Sequence, residues 1–205
     1  MGFYEERVLP RVIDVVLGNR RMQQVRRPSL AGLSGTVVEL GFGSGPNVPL
    51  YPAEVDRVLA VEPSARAREL AQRRIAASSV EVTFVGLDGQ SIPIDDRIAD
   101  CVLSTWTLCT IPDVDAALAE VKRVLKPGGR FFFLEHGLST DPKVARWQHR
   151  LTPIQRKIAG GCHLDRDIEK IVRDAGFGFE RYTTFTIGRP KVMNFMYTGV
   201  ATKAT

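Results

Sequence analysis

The stretch Val38-Glu39-Leu40-Gly41-Phe42-Gly43-Ser44-Gly45 takes a short β-rich run, Thr36 to Leu40, straight into alternating glycines. Without Cβ atoms such a turn can tighten and let a ligand approach its amides. Glycine serves tight turns of every kind, so the loop alone is weak evidence. A second β-rich run, Arg57 to Val61, stops at Glu62-Pro63, and Glu62 stands 21 positions after Gly41. A ribose-binding carboxylate belongs at about 20 positions, because it accepts hydrogen bonds from two vicinal hydroxyls. The pair predicts a nucleoside-bearing ligand beyond the carboxyl ends of parallel strands.

The rest of the chain extends that pattern outward. Ala65 to Ala77 reads as a helix, Val80 to Val85 and Asp100 to Ser104 as strands. Asp113 is the natural N-cap of an amphipathic helix running to Leu125, and Lys126-Pro127-Gly128-Gly129 breaks it. Arg130 to Leu134 is the next strand and leads into Glu135-His136. Helices follow at Lys143 to Ile158 and Asp165 to Ala175, with Gly176 as a cap. Two β-like runs, Glu180 to Ile187 and Met193 to Thr202, close the chain as an edge hairpin. Strands alternating with helices predict an α/β fold around a doubly wound, mostly parallel seven-stranded sheet with an antiparallel C-terminal strand.

Length and charge set the remaining bounds. A chain of 205 residues fits a single domain, 1–205, within which 1–30 forms an N-terminal helical extension. Val8 to Leu17 repeats apolar positions at helical spacing and is ended by Gly18-Asn19. Its stripe, Val8, Val12, Val15 and Val16, reads as packed on the core or as the underside of a lid. No run is apolar enough to span a bilayer, no secretory leader is read, and Glu6 stands where a myristoylated Gly2 would need Ser or Thr. These features predict a cytoplasmic protein. The net charge is +5, and Arg20, Arg21, Arg26 and Arg27 cluster as a solvated helix end or a contact with an anionic substrate or membrane surface. No aromatics interleave with that cluster, so no nucleic-acid partner is expected. Cys101 and Cys109 read as small core hydrophobes. The three cysteines lack metal-ligand spacing, so no metal is expected either.

The motifs resemble those of class I, Rossmann-like, S-adenosylmethionine-dependent methyltransferases. Val38 to Gly45 is similar to their first motif, in which an acidic residue, here Glu39, leads a Gly-x-Gly-x-Gly loop. Leu87-Asp88-Gly89-Gln90, with Ile92-Pro93, resembles their adenine-side segment, and Val124 to Gly129 resembles the linker into their fifth strand. Further on come Ser104 to Ile111, Phe133-Leu134-Glu135-His136, Trp147 and Gly160 to Arg166. Their order is like that of microsomal thiol methyltransferases and their bacterial relatives. Val48 to Pro52 is shared with these and with soluble bacterial phosphatidylethanolamine N-methyltransferases.

The resemblance implies S-adenosyl-L-methionine as cofactor and S-adenosyl-L-homocysteine as product. It implies Glu39, Gly41, Gly43, Gly45, Glu62, Pro63, Asp88, Gly89, Thr105 and Trp106 as cofactor-binding residues. It also implies a small lipophilic acceptor, thiols first, with phospholipids, quinones or phenols as the alternative and a non-catalytic cofactor-binding regulator as a third reading. A thiol already carries some thiolate at neutral pH and needs little activation, whereas a hydroxyl or amine needs a base. His136, at the end of the fifth strand, and His163, in a Gly-Gly-Cys-His turn, are the catalytic candidates, each with a structural reading beside it. Trp106 walls the cofactor or packs a helix, Glu135 orients His136 or caps amides, and Arg166 supports the site or is a solvated helix charge.

Overall fold

Seven strands in the order β3-β2-β1-β4-β5-β7-β6 form one sheet in the protein, described by a computed structural model over residues 4–203. The strands are β1 (Gly35–Leu40), β2 (Val55–Val61), β3 (Glu81–Gly86), β4 (Ala99–Thr105), β5 (Leu125–His136), β6 (Phe177–Thr186) and β7 (Phe195–Lys203). β1 to β5 pair in parallel, and β7 enters antiparallel between β5 and β6. The helices are α1 (Leu9–Leu17), α2 (Arg20–Leu30), α3 (Ala65–Ala76), α4 (Val114–Val124), α5 (Pro142–Ile158) and α6 (Ile168–Asp174). Gly2 lies outside the described residues. Among the described residues no helix is long and apolar enough to cross a membrane.

Side-chain alternation sorts the sheet into two faces. Val38, Leu40, Phe131 and Phe133 pack with α4 and α6 residues such as Leu118, Val121 and Ile168. Val37, Val58, Cys101, Leu103 and Phe132 pack on the other face with Leu30 of α2 and Ala71 of α3. Strand order reverses at β1, whose neighbours β2 and β4 lie on its two sides, so the crevice opens above the ends of β1 and β4.

Several boundaries differ from the sequence reading. The Lys126-Pro127-Gly128-Gly129 break falls inside β5, which already pairs Leu125 with Ala99 and then shifts register before Cys101. The last helix, expected from Asp165, starts at Ile168, with Asp167 as its N-cap accepting from Lys170 N. Residues 20–30 form a helix that the dense Arg pattern concealed, capped by Asn19. The apolar stripe of α1 is not packed on the core: Val12, Ile13, Val15 and Val16 are exposed, at 47%, 41%, 72% and 55%. It is Leu9 and Pro10 that α1 buries.

Candidate active site

The glycine loop leaves β1 with Gly41, Gly43 and Gly45 all at positive φ. A side chain at Gly41 would collide with the Thr107 hydroxyl, so this glycine lets two loops meet. A Cβ at Gly43 would project into open space, with Gly41 O, 3.9 Å away, the one atom within 4 Å. That is the cradle a ligand would fill. Glu62, at the tip of β2, is buried and accepts from Gly43 N (2.7 Å) through Oε2 and from Ser64 N (2.8 Å) through Oε1. Burial pushes its carboxyl above the ordinary range, and the two amides pull it back. Each oxygen keeps a free lone pair for a vicinal hydroxyl. Pro63 follows at the exposed rim.

The chain passes from this loop into a three-residue 3-10 turn, Val48–Leu50, and then into β2. No α-helix N-terminus follows the glycines, so the loop lacks the dipolar cradle that binds pyrophosphate in dinucleotide sites. A nucleoside without phosphates suits it. Asp88 and Gly89 follow β3; Asp88 is exposed and its Oδ1 accepts from Gln90 N (2.8 Å). Gly89 sits against Ile111 and Leu40, where a Cβ would touch both side chains.

Beneath the loop lies a polar network unforeseen from the sequence, where Glu39 and Thr105 read as cofactor contacts and Arg26 as part of the basic cluster. Glu39, with no exposed surface, accepts from Asn47 Nδ2 (2.8 Å) and from the Tyr51 hydroxyl. Burial raises its carboxyl to about 7. Thr105 Oγ1 accepts from Asn47 Nδ2 (3.0 Å) and from Arg26 Nη1 (2.7 Å), which also donates to Asn47 Oδ1 (2.9 Å). Glu39 and Thr105 therefore support the crevice floor, with their side-chain oxygens engaged by protein groups. Arg26 is 2% exposed, which overturns its reading as a solvated helix end. Desolvation lowers its guanidinium to about 10, opposed by nearby Glu39 and Glu135. No signal at Arg26 itself separates it from its exposed neighbours; only helical phase relative to Met22 and Leu30 could have found it.

Arg26 also lies over the Trp106 ring, its Cζ 4.5 Å from the centroid. Trp106 has φ +53°, an uncommon conformation for a large residue, held by Trp106 N donating to Leu134 O (2.9 Å). Such strain persists where surroundings over-determine it, commonly at ligand sites. Glu135, completely buried, accepts from Ser104 Oγ (2.7 Å) and Thr107 N (2.9 Å), so it caps amides rather than orienting His136. Burial lifts its carboxyl to about 7.

Beyond β4 and β5 the fold brings together residues whose sequence spacing gave no hint of a cluster. Cys109 Sγ lies 3.7 Å from Cys162 Sγ, which lies 3.9 Å from His136 Nδ1. His136 is 3% exposed, and its Nε2 has no hydrogen-bond partner among the described residues. Cys109 is thus buried, as expected, yet it faces polar partners rather than a plain apolar core. Hydrogen bonding to Cys109 and the neighbouring His136 lower the Cys162 thiol, while Cys109 is pushed up by Cys162 and by burial. His163 N donates to Cys109 O (2.8 Å), tying the Gly160-Gly161 turn to this loop. The His163 ring is partly buried, and desolvation and Arg166 push its pKa below the ordinary value. Arg166 is half-buried and donates to Leu108 O and Pro112 O (3.3 Å), so it supports the Cys109 loop rather than forming a solvated charge.

The N-terminal helix is tethered to the glycine loop. Asp14 of α1 accepts from Ser44 Oγ (2.5 Å) of the glycine loop and pairs with Arg74 (2.8 Å), which donates to Ser44 O (2.8 Å).

A methyltransferase domain family matches residues 38–133. Thiol S-methyltransferase TMT1B of Homo sapiens is 32% identical over 171 residues, covering 78% of this chain and 70% of that protein. Thiol S-methyltransferase TMT1B of Rattus norvegicus is 33% identical over 148 residues, covering 69% of this chain and 59% of that protein. The chain therefore spans between about three fifths and seven tenths of these relatives. A SAM-dependent methyltransferase structure from Thermotoga maritima has TM-score 0.68 at 22% identity, covering 98% of this chain and 97% of that one. Phosphoethanolamine N-methyltransferase 2 of Haemonchus contortus, solved with S-adenosyl-L-methionine, has TM-score 0.70 at 14% identity, covering 98% and 59%. These last two are similar in fold.

Proposed function

Because this chain belongs to the S-adenosylmethionine-dependent methyltransferase family that includes the thiol S-methyltransferases, we propose that it methylates the sulfur of a small lipophilic thiol. The bound cofactor supplies an electrophilic methyl on a sulfonium. Gly43 leaves the space for its nucleoside, and Glu62 accepts the ribose hydroxyls with the lone pairs its backbone amides leave free. Asp88 and Gly89 close the adenine side, and Trp106 walls the methionine side. A displacement at carbon needs the acceptor aligned in line, so the protein's main task is positioning. His136 and His163 stand at the acceptor end. Desolvation and Arg166 lower the pKa of His163, which favours its neutral ring, the form that can accept a proton.

The observation that carries the thiol reading is the Cys109–His136–Cys162 cluster at that end, a soft, partly buried environment suited to a sulfur acceptor and poorly suited to a charged amine. Labelled methyl transfer to an alkyl thiol, a phenol and phosphatidylethanolamine tests it. Label in the thioether alone supports S-methylation. Label in the lipid or phenol with none in the thioether removes it.

A second feature supports a cytoplasmic protein that works against a membrane surface. The exposed Val12, Ile13, Val15 and Val16 share the N-terminal segment with exposed Arg7, Arg11, Arg20 and Arg21. This pairing of apolar face and basic rim suits an anionic bilayer, from which lipophilic acceptors would reach the crevice. Salt-sensitive binding to anionic vesicles, lost in a Val12→Ser, Val15→Ser double variant, is the expected result; equal binding by that variant contradicts it.

A further inference from the structure

Two cysteines and a histidine from three separate segments converge at the acceptor end, and neither the hydrophobic core nor backbone capping accounts for them. Cys109 sits on the loop after β4, His136 ends β5, and Cys162 occupies the Gly160-Gly161 turn after α5. Their donor atoms all lie within 4.8 Å of one another. The two sulfurs are 3.7 Å apart. In a tetrahedral zinc site with Zn–S bonds of about 2.3 Å, adjacent sulfurs stand about 3.8 Å apart.

The imidazole supplies the second, independent indication. It is 3% exposed, and among the described residues Nε2 has no partner while Nδ1, which faces the thiols, has a sulfur 3.9 Å away. A buried imidazole held this weakly is costly, and a metal ion on Nδ1 would replace the long sulfur contact with a strong bond. Two thiolates and a divalent cation sum to zero charge, which a buried site tolerates. The surroundings are rigid. Glu135 fixes Thr107 N at the start of the Cys109 loop, and His163 N holds Cys109 O. Such support keeps ligands in place before a metal arrives.

We propose that Cys109, His136 and Cys162 bind a zinc ion whose fourth position takes the acceptor thiol, a site that rests on the S-methylation reading above. Three protein ligands with one open position is the donor count of catalytic zinc. The acceptor coordinates as its thiolate, and its proton leaves to His163 or to solvent. Its sulfur lone pair then forms the new carbon–sulfur bond as the methyl–sulfonium bond of the cofactor breaks, giving a thioether and S-adenosyl-L-homocysteine. The neutral thioether is a weaker zinc ligand than a thiolate and departs.

The test uses the full chain purified under reducing conditions. Elemental analysis should find about one zinc per chain. Cobalt exchanged into the site should show a thiolate charge-transfer band and tetrahedral ligand-field bands. Cys109→Ser and Cys162→Ala should each weaken metal binding at least about tenfold. Cys101→Ala, in the opposite core, should leave it unchanged. Circular dichroism and cofactor affinity identify any variant that has simply failed to fold, and Cys162→Ala, at a partly exposed position, is the less disruptive of the two. An alkyl thiol should shift the cobalt bands, and a phenol should not. A chain that takes up no metal, that keeps its cobalt spectrum in both variants, whose bands ignore the thiol, or whose Cys109 and Cys162 form a disulfide in glutathione buffer overturns the proposal. Thioether production without metal leaves S-methylation standing and removes the zinc. Metal that binds thiol while no methyl reaches sulfur keeps the zinc site but removes both the S-methylation reading and the acceptor role built on it.

Discussion

Gly43 and Glu62 meet through one hydrogen bond across 19 residues of chain, whereas Cys109 and Cys162 come together across 53. In the proposed reading, the first pair lies in the cofactor half of the crevice and the second in the acceptor half. The cofactor half uses backbone amides, a glycine cradle and one carboxylate at the ends of adjacent parallel strands. The acceptor half is assembled from side chains on the β4 loop, the tip of β5 and the turn after α5. Backbone-built recognition demands particular residues at particular spacings. Side-chain-built recognition demands only that the fold deliver the right atoms to one place. Arg26 joins the two halves, donating to Asn47 beside the glycine loop and to Thr105 on β4 while lying over Trp106.

The largest effect is expected at that junction. Arg26→Met removes a buried guanidinium and leaves Asn47 and Thr105 without its hydrogen bonds, at a cost of about 2–4 kcal/mol in a denaturant melt. A loss below about 1 kcal/mol would show the halves to be independently stable. Gly43→Val comes next. Its positive φ adds strain of about 1–2 kcal/mol, and its side chain enters the cradle, so cofactor affinity by calorimetry should fall more than about a hundredfold while the fold persists. Glu62→Gln should weaken cofactor binding about 10- to 100-fold by removing charge-assisted acceptors, with a smaller change in melting temperature.

The smallest effect concerns pH. Glu39 and Glu135 are raised from the ordinary carboxylate value to about 7 by burial, so the folded protein holds protons that the unfolded chain releases. Their favourable contribution is complete below the unfolded value and is lost as pH rises toward about 7. Melting temperature should therefore decline over that window, and Glu39→Gln should flatten the decline. An unchanged slope would mean that Glu39 keeps an ordinary carboxylate pKa in the folded state.

Legibility in the sequence followed the same division. The order of strands, the closing hairpin and the coupling of the glycine loop to Glu62 could be read directly, because β-rich runs, glycine turns and caps such as Asp113 are local signals. Glu39 was legible as a position but not as a member of a buried network, since its partners Asn47, Tyr51 and Arg26 are set by packing. Arg26 looks like its exposed neighbours until helix α2 turns it inward. The α1 stripe misled because apolar periodicity reveals an amphipathic face without saying what covers it. Cys109, His136 and Cys162 could each be noticed, but no spacing rule links residues brought together by three different crossovers.

The most direct measurement compares His136→Ala with Glu62→Gln for cofactor affinity and thiol turnover in the same preparation. Two separately built halves predict that His136→Ala keeps cofactor affinity within about twofold while turnover falls at least about a hundredfold. Glu62→Gln should lose affinity first. If His136→Ala loses the cofactor as severely as Glu62→Gln, or turns over thiol at the unsubstituted rate, the division of the crevice is contradicted.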